Sequence, residues 1–296
     1  MNRRKLKALA YAKINLSLNV SGKTESGLHL LDSVTASVNI ADAVTVCERF
    51  DSQINITYNG AESRYERDSV AVAIDCLRRR FGAFGLDVAV EKNLPEGAGV
   101  GGSSADAAAV IALANSLFSF DKRGFDISCA ADEVGSDVPV MAVGGYCRLR
   151  GFGNRVEKLG GKKLHVVLCT GGGGVSTKEC FALFDEMYPS DKYEPSDNGA
   201  LVRALETGDM SAIAAQCKNA LTAPAQKLNG GIKQKTDALM NVGAKAAFMT
   251  GSGSGCVGLF ESQSAAQSAA QRLNAEAKNA WKAYALDTLE TGIKIL

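Results

Sequence analysis

Between Pro95 and Asp106 the chain reads Pro-Glu-Gly-Ala-Gly-Val-Gly-Gly-Ser-Ser-Ala-Asp. Glycines at 97, 99, 101 and 102 let the backbone come close to a ligand and take positive φ angles. The hydroxyls of Ser103 and Ser104 follow, and then the apolar repeat Ala107, Val110, Ile111, Ala114, Leu117 of a helix. Free N–H groups and the dipole at such a helix start make a site for an anion, most naturally a phosphate. The plain alternative is a tight strand-to-helix turn with Ser103 or Ser104 as an N-cap. Gly97-x-Gly99-x-x-Gly102 formally fits the dinucleotide fingerprint, but the next segment, 121–126, is polar and leads into another helix-like stretch instead of a strand ending in an acid. No Gly-Lys-Ser/Thr follows the glycines, and the protein-kinase elements are missing. The loop is a nucleotide-phosphate candidate of another type.

Two further glycine tracts, Gly171–Gly174 and Gly251–Gly255, could bring backbone to a substrate or could be wide turns. The elements around all three loops follow from periodicity. Ile14, Leu16, Leu18 and Val20 alternate with Asn15, Ser17 and Asn19, which predicts a half-buried strand. Strands are expected at 34–40, 43–47 and 54–58, the last ending at the turn Asn59-Gly60. Val70, Ala73, Ile74, Leu77 and Phe81 predict a helix capped by Asp68 or Ser69 and stopped by Gly82, with Arg78-Arg79-Arg80 complementing its dipole. Strands are expected at 86–90, 165–169, 246–249 and 256–260, and helices over 199–217, 231–243 and 262–279, before a short terminal strand. Residues 186–198, with Pro189 and Pro195, read as an exposed loop. A domain boundary is expected near 155–163, where Gly151-Phe152-Gly153 and Gly160-Gly161-Lys162-Lys163 punctuate the chain.

Composition narrows the function classes. At 296 residues the chain can form two domains with substantial cores. Its 33 Lys+Arg against 32 Asp+Glu leave a net charge of +1, which supplies no global field for nucleic acid or an acidic membrane. Eight cysteines, with no Cys-x-x-Cys pair, read as small core residues in a reducing cytosol. The most apolar stretch, 105–120, holds Asp106 and Asn115 and is too short to span a bilayer. No secretory h-region follows the basic start. With only His29 and His165, a multi-histidine metal site is excluded. The expectation is a soluble cytoplasmic protein with a small-molecule partner, no nucleic acid and no membrane, as a monomer or homodimer.

Three segments in order, Ala12-Lys13-Ile14-Asn15-Leu16-Ser17-Leu18, the 95–106 loop and Thr250-Gly251-Ser252-Gly253-Ser254-Gly255-Cys256, resemble the GHMP kinase superfamily of small-molecule kinases. Gly27-x-His29, Gly135-Ser136-Asp137-Val138-Pro139 and Gly174-Val175-Ser176-Thr177-Lys178-Glu179 are most similar to its branch acting on a cytidine diphosphate-linked methylerythritol. The resemblance implies an α+β, two-domain architecture: a ribosomal-protein-S5-like nucleotide domain over 1–158 and a ferredoxin-like α/β sandwich over 159–296, with both ligands in the cleft between them. It implies ATP as co-substrate, with Mg²⁺, although no dedicated carboxylate cage for the ion is visible. Asp137 is then the catalytic base, otherwise a cap or turn aspartate before Pro139. Lys13 is its partner, otherwise a lysine on an exposed strand face. The nucleotide would lie against Lys92, Pro95, Gly97, Gly99, Gly101, Gly102, Ser103 and Ser104. Asn15, His29, Thr177 and Phe181 would hold the acceptor; on composition alone Phe181 is core. Three departures stand out: Ser26-Gly27-Leu28-His29-Leu30 replaces the branch's usual Asp-Gly-Tyr-His-Glu and removes one aromatic wall, Asn219-Ala220-Leu221-Thr222 replaces Asn-Asp-Leu-Glu, and the glycine–serine spacing of the loop is shifted by one. The rival readings are a related kinase of another alcohol and a nucleotide-binding relative without kinase activity.

Overall fold

The computed structural model describes residues 3–62, 68–124, 131–189, 193–277 and 280–296. Cys129, the helix-like stretch expected after 124, and parts of the loop expected at 186–198 and of the helix expected at 262–279 lie outside them.

The N-terminal half is built on a long antiparallel pair, β1 (Lys5–Lys23) and β2 (His29–Arg49). The two strands expected at 34–40 and 43–47 are one. β3 (Ile54–Tyr58) and β4 (Ala61–Glu62) precede α1 (Ser69–Phe81), and β5 (Gly85–Glu91) runs parallel to β3. Asp68 caps α1 by accepting the Ala71 N–H at 2.7 Å. At its other end two of the three arginines, Arg79 and Arg80, pair with Glu133. α2 (Gly102–Phe118) follows the glycine loop, then α3 (Ala131–Val134), α4 (Val138–Val143) and the hairpin β6 (Tyr146–Gly151) and β7 (Arg155–Leu159). Residues 105–111 of α2 are all buried, because alanine around the whole circumference lets α1, α4 and the sheet pack on every side. The glycines at 151 and 153 turn the β6–β7 hairpin.

In the C-terminal half β8 (His165–Thr170) is followed by α5 (Thr177–Met187), α6 (Asn198–Thr207), α7 (Met210–Gln216), α8 (Thr222–Leu228) and α9 (Gly231–Asn241). The helix expected over 199–217 breaks at Gly208, which sits in the left-handed region. β9 (Ala246–Met249), β10 (Cys256–Phe260), α10 (Gln263–Glu276), β11 (Lys282–Leu289) and β12 (Ile293–Ile295) complete the chain. The antiparallel order β11-β8-β10-β9 is that of a ferredoxin-like sheet. β11 also pairs with β2, and β12 with β1, so the expected single terminal strand is two strands that join the halves.

β1 departs most from expectation. Ile14, Leu16 and Leu18 are buried as predicted and Val20 is half-buried, but Lys13, Asn15, Ser17 and Asn19 on the other face are buried too, at 5%, 3%, 0% and 4% exposure. That polar face packs on the C-terminal half, where hydrogen bonds replace water. Ser17 Oγ donates to Asn198 Oδ1 at 2.5 Å, and Asn19 Nδ2 to the Ser196 carbonyl at 2.9 Å. Ser196 and Asn198 are therefore buried, and the segment expected to be an exposed loop through 198 docks at its end. The described cysteines are free thiols. Among the described residues no helix is long and apolar enough to cross a membrane.

Candidate active site

A cleft of about 560 Å³ opens where β1, the 95–104 loop, the start of α4 and the 251–252 turn converge. The loop is fixed at both ends. Asp42 Oδ1 accepts the N–H groups of Asn93 at 2.5 Å and Leu94 at 2.7 Å, and Lys13 N donates to the Val100 carbonyl at 3.0 Å. Gly101 is the N-cap of α2, left-handed at φ +76° and with no side chain to cap anything. Ser103 and Ser104 lie inside the first turn, so the N-cap alternative fails for both. The first-turn N–H groups are left for a ligand. Pro95, Gly97, Gly99, Gly101, Gly102, Ser103 and Ser104 all line the cleft.

The glycines also serve each other. A Cβ on Gly99 would stand 2.6 Å from the Thr250 carbonyl oxygen, and one on Gly251 would stand 2.8 Å from that of Gly99. Backbone packs on backbone here, and Ser254 N donates to the Gly97 carbonyl at 3.1 Å. Part of the glycine requirement assigned to ligand approach is thus a requirement of loop on loop. Asn219, visible in the sequence only as part of a departure, holds the second loop by donating to the carbonyls of Met249 and Gly251 at 2.9 and 2.8 Å. Lys235, 1% exposed, donates to the carbonyls of Gly171 and Ser254 at 2.8 and 2.5 Å, joining the two C-terminal glycine tracts. Burial pulls its pKa down. A lysine on an amphipathic helix reads as solvent-facing, so nothing in the sequence marks it.

Lys13 Nζ donates to Asn15 Oδ1 at 2.7 Å and stands 3.6 Å from Asp137 Oδ2. Its burial excludes the exposed-face alternative. Asp137 occupies the N-cap position of α4 yet makes no capping bond, so its carboxylate, 37% exposed, faces the cleft instead. A carboxylate beside a buried ammonium, next to an anion site, can accept a proton while the cation stabilises developing charge. Asn15 lines the cleft, but its side chain is committed: besides Lys13, Oδ1 accepts Gly251 N at 3.0 Å, and Nδ2 donates to Ser33 Oγ at 2.9 Å. It fixes Lys13 and the 250–255 loop in place.

On the opposite wall α5 presents Thr177 and Phe181 to the cleft, and Thr177 Oγ1 is hydrogen-bonded to Ser252 Oγ at 2.7 Å. His29 is set back. Its ring stacks on Phe181 with centroids 4.3 Å apart, and Nε2 is 2.9 Å from Asp185 Oδ1. It faces a separate hollow with Phe184, Asp185 and Tyr188 and does not line the main cleft. Leu28 is 57% exposed and also lies off the cleft.

Lys92 lines the cleft beside the 95–104 loop, between two buried carboxylates. Its Nζ donates to Asp42 Oδ2 and, at 2.7 Å, to Asp106 Oδ2. Burial pushes the Asp106 carboxyl up to about 7, opposed by Lys92 and aided by the Asp42 charge. Folded protein therefore holds this proton more tightly than unfolded chain, and its contribution to stability is lost as pH rises from about 4 to about 7. Asp106→Asn should flatten that part of a Tm-against-pH curve; an unchanged slope would place the titration elsewhere.

The GHMP kinases N terminal domain profile matches residues 68–145, and the GHMP kinases C terminal profile matches 201–279. The 4-diphosphocytidyl-2-C-methyl-D-erythritol kinase of Pelotomaculum thermopropionicum is 33% identical over 268 residues, 90% of this chain and 92% of that protein. The chain belongs to the GHMP kinase family. The enzyme of the same name from Paracoccus denitrificans is 34% identical over 274 residues, 89% of this GHMP kinase and 90% of its own length. A crystal structure of 4-(cytidine 5'-diphospho)-2C-methyl-D-erythritol kinase superposes with a TM-score of 0.77 at 28% identity, covering 95% of this chain and 98% of that one. A homoserine kinase from Cytophaga hutchinsonii, at 20% identity and a TM-score of 0.76, shares the fold. The α+β GHMP architecture expected from the three motifs is the one found.

Proposed function

We propose that this GHMP kinase is a cytoplasmic enzyme transferring the γ-phosphoryl group of ATP to the 2-hydroxyl of 4-diphosphocytidyl-2-C-methyl-D-erythritol, in isoprenoid precursor biosynthesis. Residues 1–158 carry the phosphate loop, and 159–296 complete the acceptor side. The observation that carries the reading is the Lys13–Asp137 pair, 3.6 Å apart, in the same cleft as the uncapped start of α2. The triphosphate lies against Gly97–Ser104, with Lys92 beside it. A hollow of about 470 Å³ sharing Lys92, Glu96 and Ser103 with the cleft, and walled by Tyr58 and Ser69, has room for the purine.

Asp137 accepts the proton of the acceptor hydroxyl as the new O–P bond forms and the bond to the ADP oxygen breaks. Lys13 keeps Asp137 paired and offsets charge on the transferring group. Mg²⁺, when bound, neutralises β- and γ-phosphate oxygens. Glu96 and Asp137 are the carboxylates lining the cleft, and no cluster of three ligand-type side chains occurs among the described residues. One or two carboxylates completed by water and phosphate oxygens is the usual Mg²⁺ arrangement at a nucleotide, so the residues fit, with Glu96 as the holder.

Phe181 offers one face to the acceptor's cytosine, its other face being covered by His29. ADP release in a coupled assay, with this acceptor and with a panel of simpler alcohols, tests the substrate. Turnover only on an alcohol lacking cytidine would keep the kinase and discard the named acceptor; ATP binding without turnover would make the chain a non-catalytic relative. Phe181→Ala should raise KM for the cytidine acceptor by about 5- to 150-fold, the value of one base–aromatic stack, and leave KM for ATP unchanged. Equal effects on both would place the ring away from the base.

A further inference from the structure

The phosphoryl-transfer step uses Lys13 and Asp137 but leaves a second buried ionic cluster unexplained. Asp42 is fully buried and satisfied as an anion: Oδ1 takes two backbone N–H groups and Oδ2 the Lys92 ammonium. Asp106, 2% exposed, is not satisfied. Its Oδ2 accepts from Lys92, but Oδ1 is buried with no hydrogen-bond partner. Two buried carboxylates on one ammonium leave a net negative charge, and an ionised carboxylate with a buried, unpartnered oxygen is costly. The cluster lies one turn into α2, at the boundary between the cleft and the adjoining hollow, both of which Lys92 lines.

We infer that Asp42, Lys92 and Asp106 form a proton-holding cluster in which Asp106 takes up a proton when a nucleoside triphosphate binds, so that Lys92 meets the anion against one buried negative charge instead of two. This rests on the nucleotide reading of the 97–104 loop. Asp42 is tied to the backbone that leads into that loop, and Asp106 is the member that exchanges a proton. The other groups facing Asp106 are few. Tyr58 of β3, Glu62 of β4, Asp68 at the cap of α1 and Glu96 of the glycine loop line the same hollow. β1 and α4 bring the Lys13–Asp137 pair toward the first turn of α2, and Lys294 of β12 is exposed. The burial that already raises Asp106 toward neutrality places the exchange in the working range. Asp106 is then a positioning residue that acts through Lys92, at the edge of the hollow that both line.

The test is calorimetric titration of ATP into native protein and Asp106→Asn, from about pH 6 to about pH 8.5, in buffers of different ionisation enthalpy. Asparagine keeps the shape and mimics the protonated acid. Comparing the two proteins cancels the nucleotide's own protonation. Native affinity should fall by up to about tenfold more than that of Asp106→Asn across this range, the effect of a one-unit rise in the pKa of Asp106 on binding. Native protein should also take up more protons than the variant. Independently of any variant, the ¹³C-labelled carboxyl of Asp106 should titrate near neutrality in free protein and at higher pH with ATP. Matching pH curves, or a carboxyl whose titration ATP does not move, would overturn the inference while leaving the nucleotide site intact. No ATP binding by native protein at any pH would overturn both.

Discussion

Asp137→Asn should bind ATP as tightly as the native protein and lose about 10²- to 10⁴-fold in kcat, the usual loss on removing a positioned general base. Asparagine fills the same volume beside Lys13, and Asp137 makes no capping bond to α4, so the substitution takes nothing from the helix. The aspartate side of the ion pair is partly exposed, and Lys13 keeps its hydrogen bond to Asn15, so the fold should survive the change. Single-turnover kinetics with the cytidine acceptor would separate chemistry from binding. A loss below tenfold would make positioning and charge neutralisation the carriers of the rate and Asp137 an orienting group.

Gly101→Val should abolish ATP binding altogether. At φ +76° a β-branched residue is strained by about 1–3 kcal/mol. The new Cβ would stand 3.2 Å from Met141 Cε and 3.4 Å from Lys13 Cε, before either valine methyl is placed. Both effects fall on the N-cap of α2, so the free N–H groups of the helix start and the Lys13 ammonium move together. Calorimetry gives the affinity, and circular dichroism shows whether the fold survives. Gly101→Ala, with the same φ strain but no branches, should fold and bind ATP more weakly. A folded valine variant with native affinity would make this loop structural only.

Much of the scaffold was legible because it follows short-range rules. Asp68 and Gly82 bound α1 through a cap and a left-handed stop, and the apolar repeat after Ser104 marked α2, although not its burial on every side. Burial of the polar side of β1 could not be read. An alternating strand predicts one wet face unless one knows that Asn198, Thr250 and Gly251, some 180 to 236 residues away, come to cover it. The hairpin β6–β7 was hidden for a different reason: its glycines look the same in a turn as in a linker.

By itself the sequence determined the three glycine loops, their order, and through them the family and its fold, since backbone that must turn sharply or approach closely tolerates little besides glycine. It also marked Lys13 and Asp137, though only by their motifs. The tertiary structure decided what each group does. It brought Lys13 within 3.6 Å of Asp137, and it made Asn15, which also lines the cleft, the residue that holds Lys13. It set His29 behind Phe181 and closed Asp42, Lys92 and Asp106 into one buried cluster. Those outcomes depend on which distant surfaces exclude water from a given side chain. Desolvation and pairing at long sequence separation have no local signature for a sequence to carry.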